Sequence, residues 1–334
     1  MTDAPIDPLV IIELTNLKAA GKLSELASHP AIGMKPAWVR DLASDSSWNV
    51  RKKLAMNPAI ANVPDAVEMC LQGKGVSVHR ALAKNPAIDS VPEAVQTLSV
   101  SKSPFVRRAL AKNPAIANHP DIIQALANDK HWQVREVIAP NHGLSDWPAL
   151  IQTLCCDEHV LVRAALAKNL AIADYPEIIK TLSRDKGFEV RQALALLPLV
   201  ANYPEVIKKL SKDRRFEVRS HLAHNSALVN HPEIVEKLAT DEHSQVREAL
   251  ARNPALANYP DIIKQLATDA GVGVRHALAK NPALANSPDV VETLSTDEHW
   301  FVREALTRNP AIPSSTASSS PWQTTQPATP APTL

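Results

Sequence analysis

The sequence predicts an all-α protein: an α-solenoid of about ten 28-residue, two-helix repeats that form a right-handed superhelix. First, the pair Val-Arg returns at a fixed period, as from Arg107 to Arg135. Second, a proline recurs at the same period from Pro36 to Pro288. Third, only 8 of the 334 residues are glycine, which argues against a β-rich, turn-dense fold.

The first helix of a repeat is illustrated by residues 241–268. Asp241 is expected to cap a helix that runs from about residue 242 to residue 252. Val246 and Leu250 lie four positions apart on its apolar face. The helix is expected to end at the following Asn-Pro pair, because a residue before proline is pushed out of the α region.

The second helix is expected to follow Asn258-Tyr259-Pro260. An asparagine with Asp261 three residues later resembles a capping box, and proline is tolerated in the first turn. The apolar residues up to Leu266 then form one stripe. Because two helices of this length are marginal in water, we expect each repeat to be stable only when it stacks on its neighbours.

The chain is predicted to have three parts. Residues 1–22 form an N-terminal capping segment with a helix, residues 23–312 form the repeat array, and residues 313–334 form a disordered tail rich in Ser, Thr and Pro. The first residues carry acids before a short apolar run, which is unlike a signal peptide. No stretch approaches the ~20 apolar residues of a membrane span.

Composition gives few signs of a charged or metal-bound partner. Lys and Arg number 36 against 35 Asp and Glu, so no global field attracts nucleic acid or a membrane surface. Cys70, Cys155 and Cys156 are too few for a disulfide scaffold and fit a reducing compartment. We therefore expect a cytoplasmic monomer with no metal and no cofactor.

The repeated motif D-x-x-x-x-V-R, followed by ALAxNPA and a proline-led helix ending in LA, resembles the leucine-rich repeat variants within the wider group of HEAT-like α-solenoids. The resemblance implies a ladder in which the aspartate and arginine of successive repeats pair. That role would fall to the arginines Arg51, Arg107, Arg135, Arg163, Arg191, Arg219, Arg247, Arg275 and Arg303 and to the aspartates Asp129, Asp157, Asp185, Asp213, Asp241, Asp269 and Asp297.

Two departures from this family matter. Its repeats are usually shorter than 28 residues and often have a 3₁₀ second helix, so the longer period here predicts two true α-helices. Some members also hold an iron–sulfur centre on an N-terminal cysteine cluster. Because this chain has no cysteine before Cys70, that cofactor is not expected.

The arginine column has two interpretations: an inter-repeat ladder, or a stripe that reads an anion or nucleic acid. Asp241 and Arg247 lie six residues apart, which is about 240° around a helix axis. They therefore do not pair within one helix, and a partner in the adjacent repeat is favoured. Cations in the last turn of the first helices, such as Lys84 and Lys112, likewise complement the helix dipole or form a phosphate-binding groove.

Two further columns of the first helix are candidates for binding a partner. The position three residues before the arginine should point away from the core, and it holds aromatic rings in five repeats: Trp48, Trp132, Phe188, Phe216 and Trp300. The position after the arginine varies strongly and includes Lys52, Arg80, Arg108 and Glu136. The rings either form a ligand face, with Ala251 and its equivalents as a low floor, or cover the helix start of the next repeat.

The sequence shows no nucleophile–base pair, glycine-rich phosphate loop or metalloprotease motif, so an enzyme is not expected. The leading hypothesis is a non-catalytic scaffold that binds a protein or peptide along the concave, first-helix face. A first alternative is nucleic-acid binding, with a link to base repair, because HEAT-like alkylpurine DNA glycosylases share this general architecture. A second alternative is an accessory or assembly factor for a larger enzyme.

Overall fold

The computed structural model describes residues 8–73, 75–141 and 144–312. The chain divides into two compact units, Met1–Ala171 (unit 1) and Ile172–Leu334 (unit 2), which are described separately. All regular structure in the described residues is helical, which confirms the all-α class. The tail predicted to be disordered, 313–334, lies outside the described residues, as do residues 1–7 of the predicted cap.

Unit 1 contains twelve α-helices within its described residues. They are α1 (Pro8–Ala19), α2 (Leu23–Ser28), α3 (Pro36–Ala43), α4 (Trp48–Met56), α5 (Pro64–Gln72), α6 (Val76–Lys84), α7 (Pro92–Ser99), α8 (Pro104–Ala111), α9 (Pro120–Ala127), α10 (Trp132–Ile138), α11 (Pro148–Cys155) and α12 (Val160–Leu166). Short 3₁₀ helices lie at Pro30–Met34, Pro58–Asn62, Pro86–Ser90 and Pro114–Asn118.

Unit 2 repeats the same order. Its helices are α13 (Pro176–Leu182), α14 (Phe188–Ala195), α15 (Pro204–Leu210), α16 (Phe216–Ala223), α17 (Pro232–Ala239), α18 (Ser244–Ala251), α19 (Pro260–Ala267), α20 (Val272–Ala279), α21 (Pro288–Ser295) and α22 (Trp300–Thr307). Its 3₁₀ helices lie at Pro198–Asn202, Ser226–Asn230, Pro254–Asn258 and Pro282–Asn286, and one more, Leu170–Asp174, begins in unit 1.

The repeats therefore have two α-helices, as predicted, and in nine of them the described residues include a 3₁₀ helix between the two, which the sequence reasoning did not anticipate. In the repeat 241–268, that segment follows Asn253, whose side chain accepts a hydrogen bond from the amide of Ala255. Proline at its first position has its φ angle already fixed. The first α-helices are the even-numbered ones, and the second α-helices are the odd-numbered ones from α3 to α21.

The predicted helix caps are wrong in detail. The first helix of this repeat begins at Ser244, two residues later than expected, because Asp241 turns the chain before the helix. Its Oδ1 accepts a hydrogen bond from the amide of His243, which is the N-cap residue, at 3.0 Å. Asn258 does not cap the second helix either: the N-cap residue is Tyr259, which makes no side-chain capping bond.

Within each unit, every first helix packs on the first helix of the next repeat: α2 through α12 in unit 1 and α14 through α22 in unit 2. Val246 and Leu250 are buried, as predicted for the apolar face. Ala251 is buried as well, and its equivalent on α8, Ala111, is one of the residues that line an open groove on the first-helix face. A side chain this small lets successive helices approach closely, and their packing covers it.

The N-terminal helix α1 packs on α2 and buries Leu14 completely. Gly21 makes the turn between the two helices with φ +67°, a left-handed conformation that glycine adopts without steric cost. His29 and Glu13 also approach within 3.5 Å. This placement suits a cap, while the boundary at residue 22 stays a prediction.

Candidate partner-binding surface

The arginines after the recurring valine make buried, two-point ion pairs with an aspartate of the next repeat. In unit 1, Arg107 donates from Nε and Nη2 to the two carboxylate oxygens of Asp129, at 2.5 and 2.9 Å. Its third contact, from Nη1, is with the carbonyl oxygen of Ser101. The same carboxylate pairing recurs in Arg135–Asp157, Arg191–Asp213, Arg219–Asp241, Arg247–Asp269 and Arg275–Asp297.

Each ladder aspartate also joins its own repeat. The carbonyl oxygen of Asp129 accepts from Arg135 at 2.7 Å, and its Oδ1 accepts from the amide of His131 at 2.8 Å. Burial raises the pKa of Asp129, but the hydrogen bonds from Arg107 and His131 outweigh it, so the pKa is lowered. The paired arginines thus direct their donors at protein oxygens, and this geometry leaves them little capacity to read an external anion.

Three further arginines of this column bond to backbone oxygens. Arg51 contacts the carbonyl oxygens of Asp45 and Ser46, and its register partner is a glycine. Arg163 donates to the carbonyl oxygen of Asp157 at 2.6 Å, and Arg303 donates to that of Asp297 at 2.5 Å. In unit 2, the carbonyl oxygen of Asp185 accepts from Arg191 at 2.6 Å and its Oδ1 from the amide of Gly187.

A second ladder, of buried asparagines, was missed at the sequence level. The side-chain nitrogen of Asn253 donates to the carbonyl oxygens of Ala223 and Asn225 in the preceding repeat, at 2.8 and 2.9 Å. The same arrangement occurs at Asn57, Asn85, Asn113, Asn169, Asn225, Asn281 and Asn309. The signal was the asparagine of the Asn-Pro-Ala motif, which had been interpreted only as a helix end.

The aromatic column divides into stacked and exposed rings. Trp132 stacks on His159 with ring centroids 3.7 Å apart, and Phe216 stacks on His243 at 3.8 Å. The guanidinium of Arg215 lies 4.4 Å from the centre of the Phe188 ring. In all three cases the partner is the residue just before the next repeat's first helix, so these rings cover that helix start.

Trp48 and Trp300 remain 56% and 65% exposed. Trp132 stacks on the histidine just before the next first helix. For Trp48 the equivalent residue is Gly75, which has no ring to stack on. Trp48 instead lies 5.7 Å from the ammonium group of Lys52. Trp300 packs edge-on against Phe301, its chain neighbour. These two rings stay available to a partner.

The variable column after the arginine lines open grooves on the first helices of unit 1. Lys52 and Arg80 line one of about 260 Å³ between α4 and α6. Arg108 and Glu136 line a larger one of about 530 Å³ over α8, α10 and α12. Their side chains are 3.7 Å apart and partly exposed.

A proline lines the larger groove just beyond the end of α10. Pro140, two residues beyond the helix, stands where α8 and α12 carry Lys112 and Lys168. Leu161, two residues before an arginine, forms part of the wall and is 38% exposed. That position also exposes Phe105 (59%) and was not singled out from the sequence.

Neither a membrane span nor a metal cluster occurs in the described part of the chain. None of the helices in residues 8–73, 75–141 and 144–312 combines the length and apolar character needed to cross a bilayer. The same ranges contain no group of three or more His, Cys, Asp or Glu residues placed to hold a metal ion.

Comparisons with known proteins give structural likenesses only. No family model matches the chain, and no curated protein matches it. A leucine-rich repeat variant with a repetitive structural motif is similar at 21% identity over 71% of this chain and 87% of that one, with TM-score 0.46. YIBA_ECOLI is similar at 17% identity over 65% of this chain and 92% of that one, with TM-score 0.42.

A third similar structure is Kap95p, described as binding RanGDP and inducing its switch loops to adopt the GTP-bound conformation. The identity is 15% over 91% of this chain and 51% of Kap95p, and the TM-score is 0.48. The leucine-rich repeat variant is of the repeat class that the sequence motif resembles. With identities and TM-scores this low, none of these likenesses assigns a partner or an activity to this chain.

Proposed function

We propose that this protein is a non-catalytic scaffold that binds a protein or peptide along the first-helix face. The observation that carries the proposal is the groove of about 530 Å³ on α8, α10 and α12. It combines cations with exposed apolar carbon, at Leu161 and Val137, in a surface whose backbone is otherwise regular. Apolar walls with charged groups at the rim are typical of a protein-binding surface.

The inward and outward sides of the first helix differ in a way that supports partner binding on the outward side. The side of the first helix that faces the preceding and following repeats is filled by the valine, leucine and alanine columns. The arginine and asparagine ladders occupy its polar groups with inter-repeat bonds. Side-chain variety is therefore confined to the outward columns, as in repeat proteins that bind through one variable surface.

The proposal is tested with the full chain, carrying an affinity tag, and mass spectrometry of proteins retained from a lysate of the source cells. Wild type is compared with Trp48→Ala/Leu161→Ala, which removes exposed apolar groups from this face. The matched control is Leu9→Ala/Ile12→Ala on α1, whose side chains are similarly exposed.

We expect at least one protein to be retained by wild type and the control but reduced at least about tenfold by Trp48→Ala/Leu161→Ala, as for loss of central apolar contacts. Equal retention by all three proteins, with unchanged circular dichroism, would show that this face does not bind the partner. Retention of nucleic acid that is lost on nuclease treatment would instead favour the nucleic-acid alternative.

A further inference from the structure

We propose that the first-helix face of unit 1 binds an acidic segment of a partner protein. This inference rests on the proposed function and specifies the chemistry of the partner. The surface concerned, here called the basic stripe, consists of outward cations on α4, α6, α8 and α12 and at their C-terminal ends. It comprises Lys52, Arg80, Lys84, Arg108, Lys112 and Lys168.

Most of these cations have no acidic partner in the protein. Among the described residues, no ion pair involves Arg80, Lys84, Lys112 or Lys168, and Arg108 has a single contact, with Glu136 at 3.7 Å. The Nε atom of Arg108 is buried and lacks a hydrogen-bond acceptor within the same ranges.

The arrangement is unfavourable to the helices that carry it. Arg80 and Lys84 lie four residues apart on α6, and Arg108 and Lys112 do so on α8 with its C-cap residue. Like charges at this spacing destabilise a helix because the two side chains lie next to each other on its surface. The helix dipole favours a cation in the last turn, but it gives no reason for a second cation one turn earlier.

Unit 2 uses the same two positions differently. There Glu248 contacts Arg252 on α18 and its C-cap residue, and Glu304 lies 2.8 Å from Arg308 at α22. The charge of the last-turn cation is thus balanced by a glutamate that lies one helical turn before it in the same helix. The repeat accepts an acid at that position, so the paired cations of unit 1 are not imposed by the fold.

The groove at the end of the basic stripe indicates a peptide. Arg108, Lys112 and Lys168 surround it, while Val137 and Leu161 contribute apolar wall. An acidic segment can place its carboxylates on the three cations and an apolar side chain between them. Neighbouring side chains of a peptide are close enough together to contact both the cations and the apolar wall.

Nucleic acid fits this surface less well. Single strands are generally held by aromatic side chains on which bases stack, together with a basic groove. One exposed ring, Trp48, lies beside Lys52 on α4, but the residues lining the two grooves include no aromatic ring, and Trp132 is already stacked on His159. Glu136 also places a negative charge inside the larger groove, where a continuous phosphate backbone would pass it.

The test uses fluorescence anisotropy with the full-length protein and three labelled probes: poly-Glu peptide, a peptide of alternating Glu and Leu, and single-stranded DNA of matched charge. The stripe variant is Lys84→Glu/Lys112→Glu. It reverses two exposed charges and places opposite charges four residues apart on α6 and α8, which offsets the loss of a cation near the C-terminal end of each helix; circular dichroism checks that the variant stays folded. The control is Lys102→Glu/Lys130→Glu, which makes the same change at exposed residues before α8 and α10.

We expect the wild type to bind the Glu–Leu peptide more tightly than poly-Glu or DNA. The stripe variant should lose affinity by about tenfold or more, since two ion pairs with the peptide are lost and charge reversal adds repulsion. The control should stay within about twofold. Affinity should weaken as salt is added.

Three results would overturn this inference. No binding of either acidic peptide at low salt, or equal loss in the stripe variant and the control, would remove the acidic-peptide assignment. Tighter binding of DNA, lost in the stripe variant, would reassign the surface to nucleic acid. If a partner captured from lysate still depends on Trp48 and Leu161, the scaffold function stands even when the acidic peptides fail to bind.

Discussion

At the residue scale, the asparagine of the Asn-Pro-Ala motif connects more backbone groups than any other side chain discussed above. Asn253 satisfies two carbonyl oxygens of the preceding repeat and one amide of its own, and it is 2% exposed. Buried carbonyl and amide groups are costly when they lack partners. The residue therefore fixes both the distance between repeats and the start of the 3₁₀ helix.

We predict that Asn253→Ala lowers the free energy of unfolding by about 3 kcal/mol, because three buried backbone groups lose their partner. Urea unfolding followed by circular dichroism measures the change. Asn128→Ala is the control, since Asn128 is exposed and bonds only within its own turn. Equal effects of the two substitutions would contradict a stabilising role for the asparagine ladder.

The cysteines differ in their predicted reactivity. Cys70 is buried, and burial raises the pKa of its thiol to about 11, with Arg51 opposing the shift. Cys156 is exposed. We expect a thiol reagent at mildly alkaline pH to modify Cys156 rapidly and Cys70 at least about a hundredfold more slowly, because the thiolate is the reactive form. Peptide mapping of the native protein measures the two labelling rates. Faster labelling of Cys70 than of Cys156 would contradict this prediction.

At the scale of elements, the arginine–aspartate ladder joins each first helix to the start of the next one. Arg219 and Asp241 are both buried, at 9% and 6% side-chain exposure, and they make two bonds. Breaking a buried pair is costly because one charge is left without a partner, whereas replacing both members by apolar residues is often neutral. The ladder therefore determines register between helices more than total stability.

Accordingly, Arg219→Ala is expected to lower the free energy of unfolding by about 3–5 kcal/mol, and Arg219→Met/Asp241→Leu should recover most of that loss. Chemical denaturation measures both. Arg214→Ala, at an exposed position beside the ladder, should change stability by less than about 0.5 kcal/mol. A double variant no more stable than Arg219→Ala would show that the pair stabilises the fold directly.

The ladder also predicts acid sensitivity. Burial raises the pKa of Asp129, Asp213, Asp269 and Asp297, but hydrogen bonds from arginine and from a backbone amide outweigh it, and each pKa is lowered. The folded chain therefore holds fewer protons at these groups than the unfolded chain, in which aspartate titrates near about 3.9. Their stabilisation is present above that value and is lost as the pH falls through it towards the folded pKa.

We expect the urea midpoint to be nearly constant from neutral pH to about pH 5 and to fall steeply below about pH 4. Arg247→Met/Asp269→Leu, which removes one such carboxylate, should show a shallower fall. An identical pH dependence in wild type and this variant would mean that other groups cause the acid sensitivity.

At the scale of the whole molecule, a 28-residue period means that neighbouring repeats have interchangeable contact surfaces. In unit 2, Arg219 pairs with Asp241, and Asp269 occupies the same place one repeat later. Stability in such an array is approximately a sum over repeats and their nearest-neighbour contacts. Removal of one complete period should therefore rejoin compatible surfaces.

Deletion of residues 241–268 is expected to give a folded protein with unchanged helix content per residue and only a modestly lower melting temperature. Arg219 would then pair with Asp269. Deletion of residues 241–254 removes half a repeat and should disrupt folding, because it places a first helix against unmatched partners. Circular dichroism and thermal melts of the two shortened chains provide the comparison, and unfolding of both would argue against independent repeats.

Much of the fold was predictable because the period by itself aligns equivalent residues. The ten prolines each begin a second helix, and Val246, Leu250 and Leu266 are buried as their spacing indicated. The 3₁₀ helix and the actual caps were not anticipated. They depend on which side-chain oxygen reaches which amide, and Asp, Asn and Pro near a helix end are compatible with several such choices.

The candidate surface was predictable only in part. The sequence identified the aromatic column and the variable column beside the arginine, but it left open whether the rings face a ligand or the next repeat. Whether a ring is covered depends on the residue just before the next first helix. Trp132 stacks on a histidine there and Phe188 contacts an arginine, whereas Trp48 has a glycine in the equivalent position. Contacts of this kind join repeats, so the spacing within one repeat does not specify them.

The sequence by itself thus determined the helical class, the period and the inward-facing columns, because burial of apolar side chains at helical spacing is a local constraint. The tertiary structure decided which polar and aromatic groups are occupied and which remain open. The distance between stacked helices buries Ala251 and brings Arg107 onto Asp129, whereas Arg108, Pro140 and Leu161 from successive repeats line an open groove. Such contacts form only when two repeats are in place.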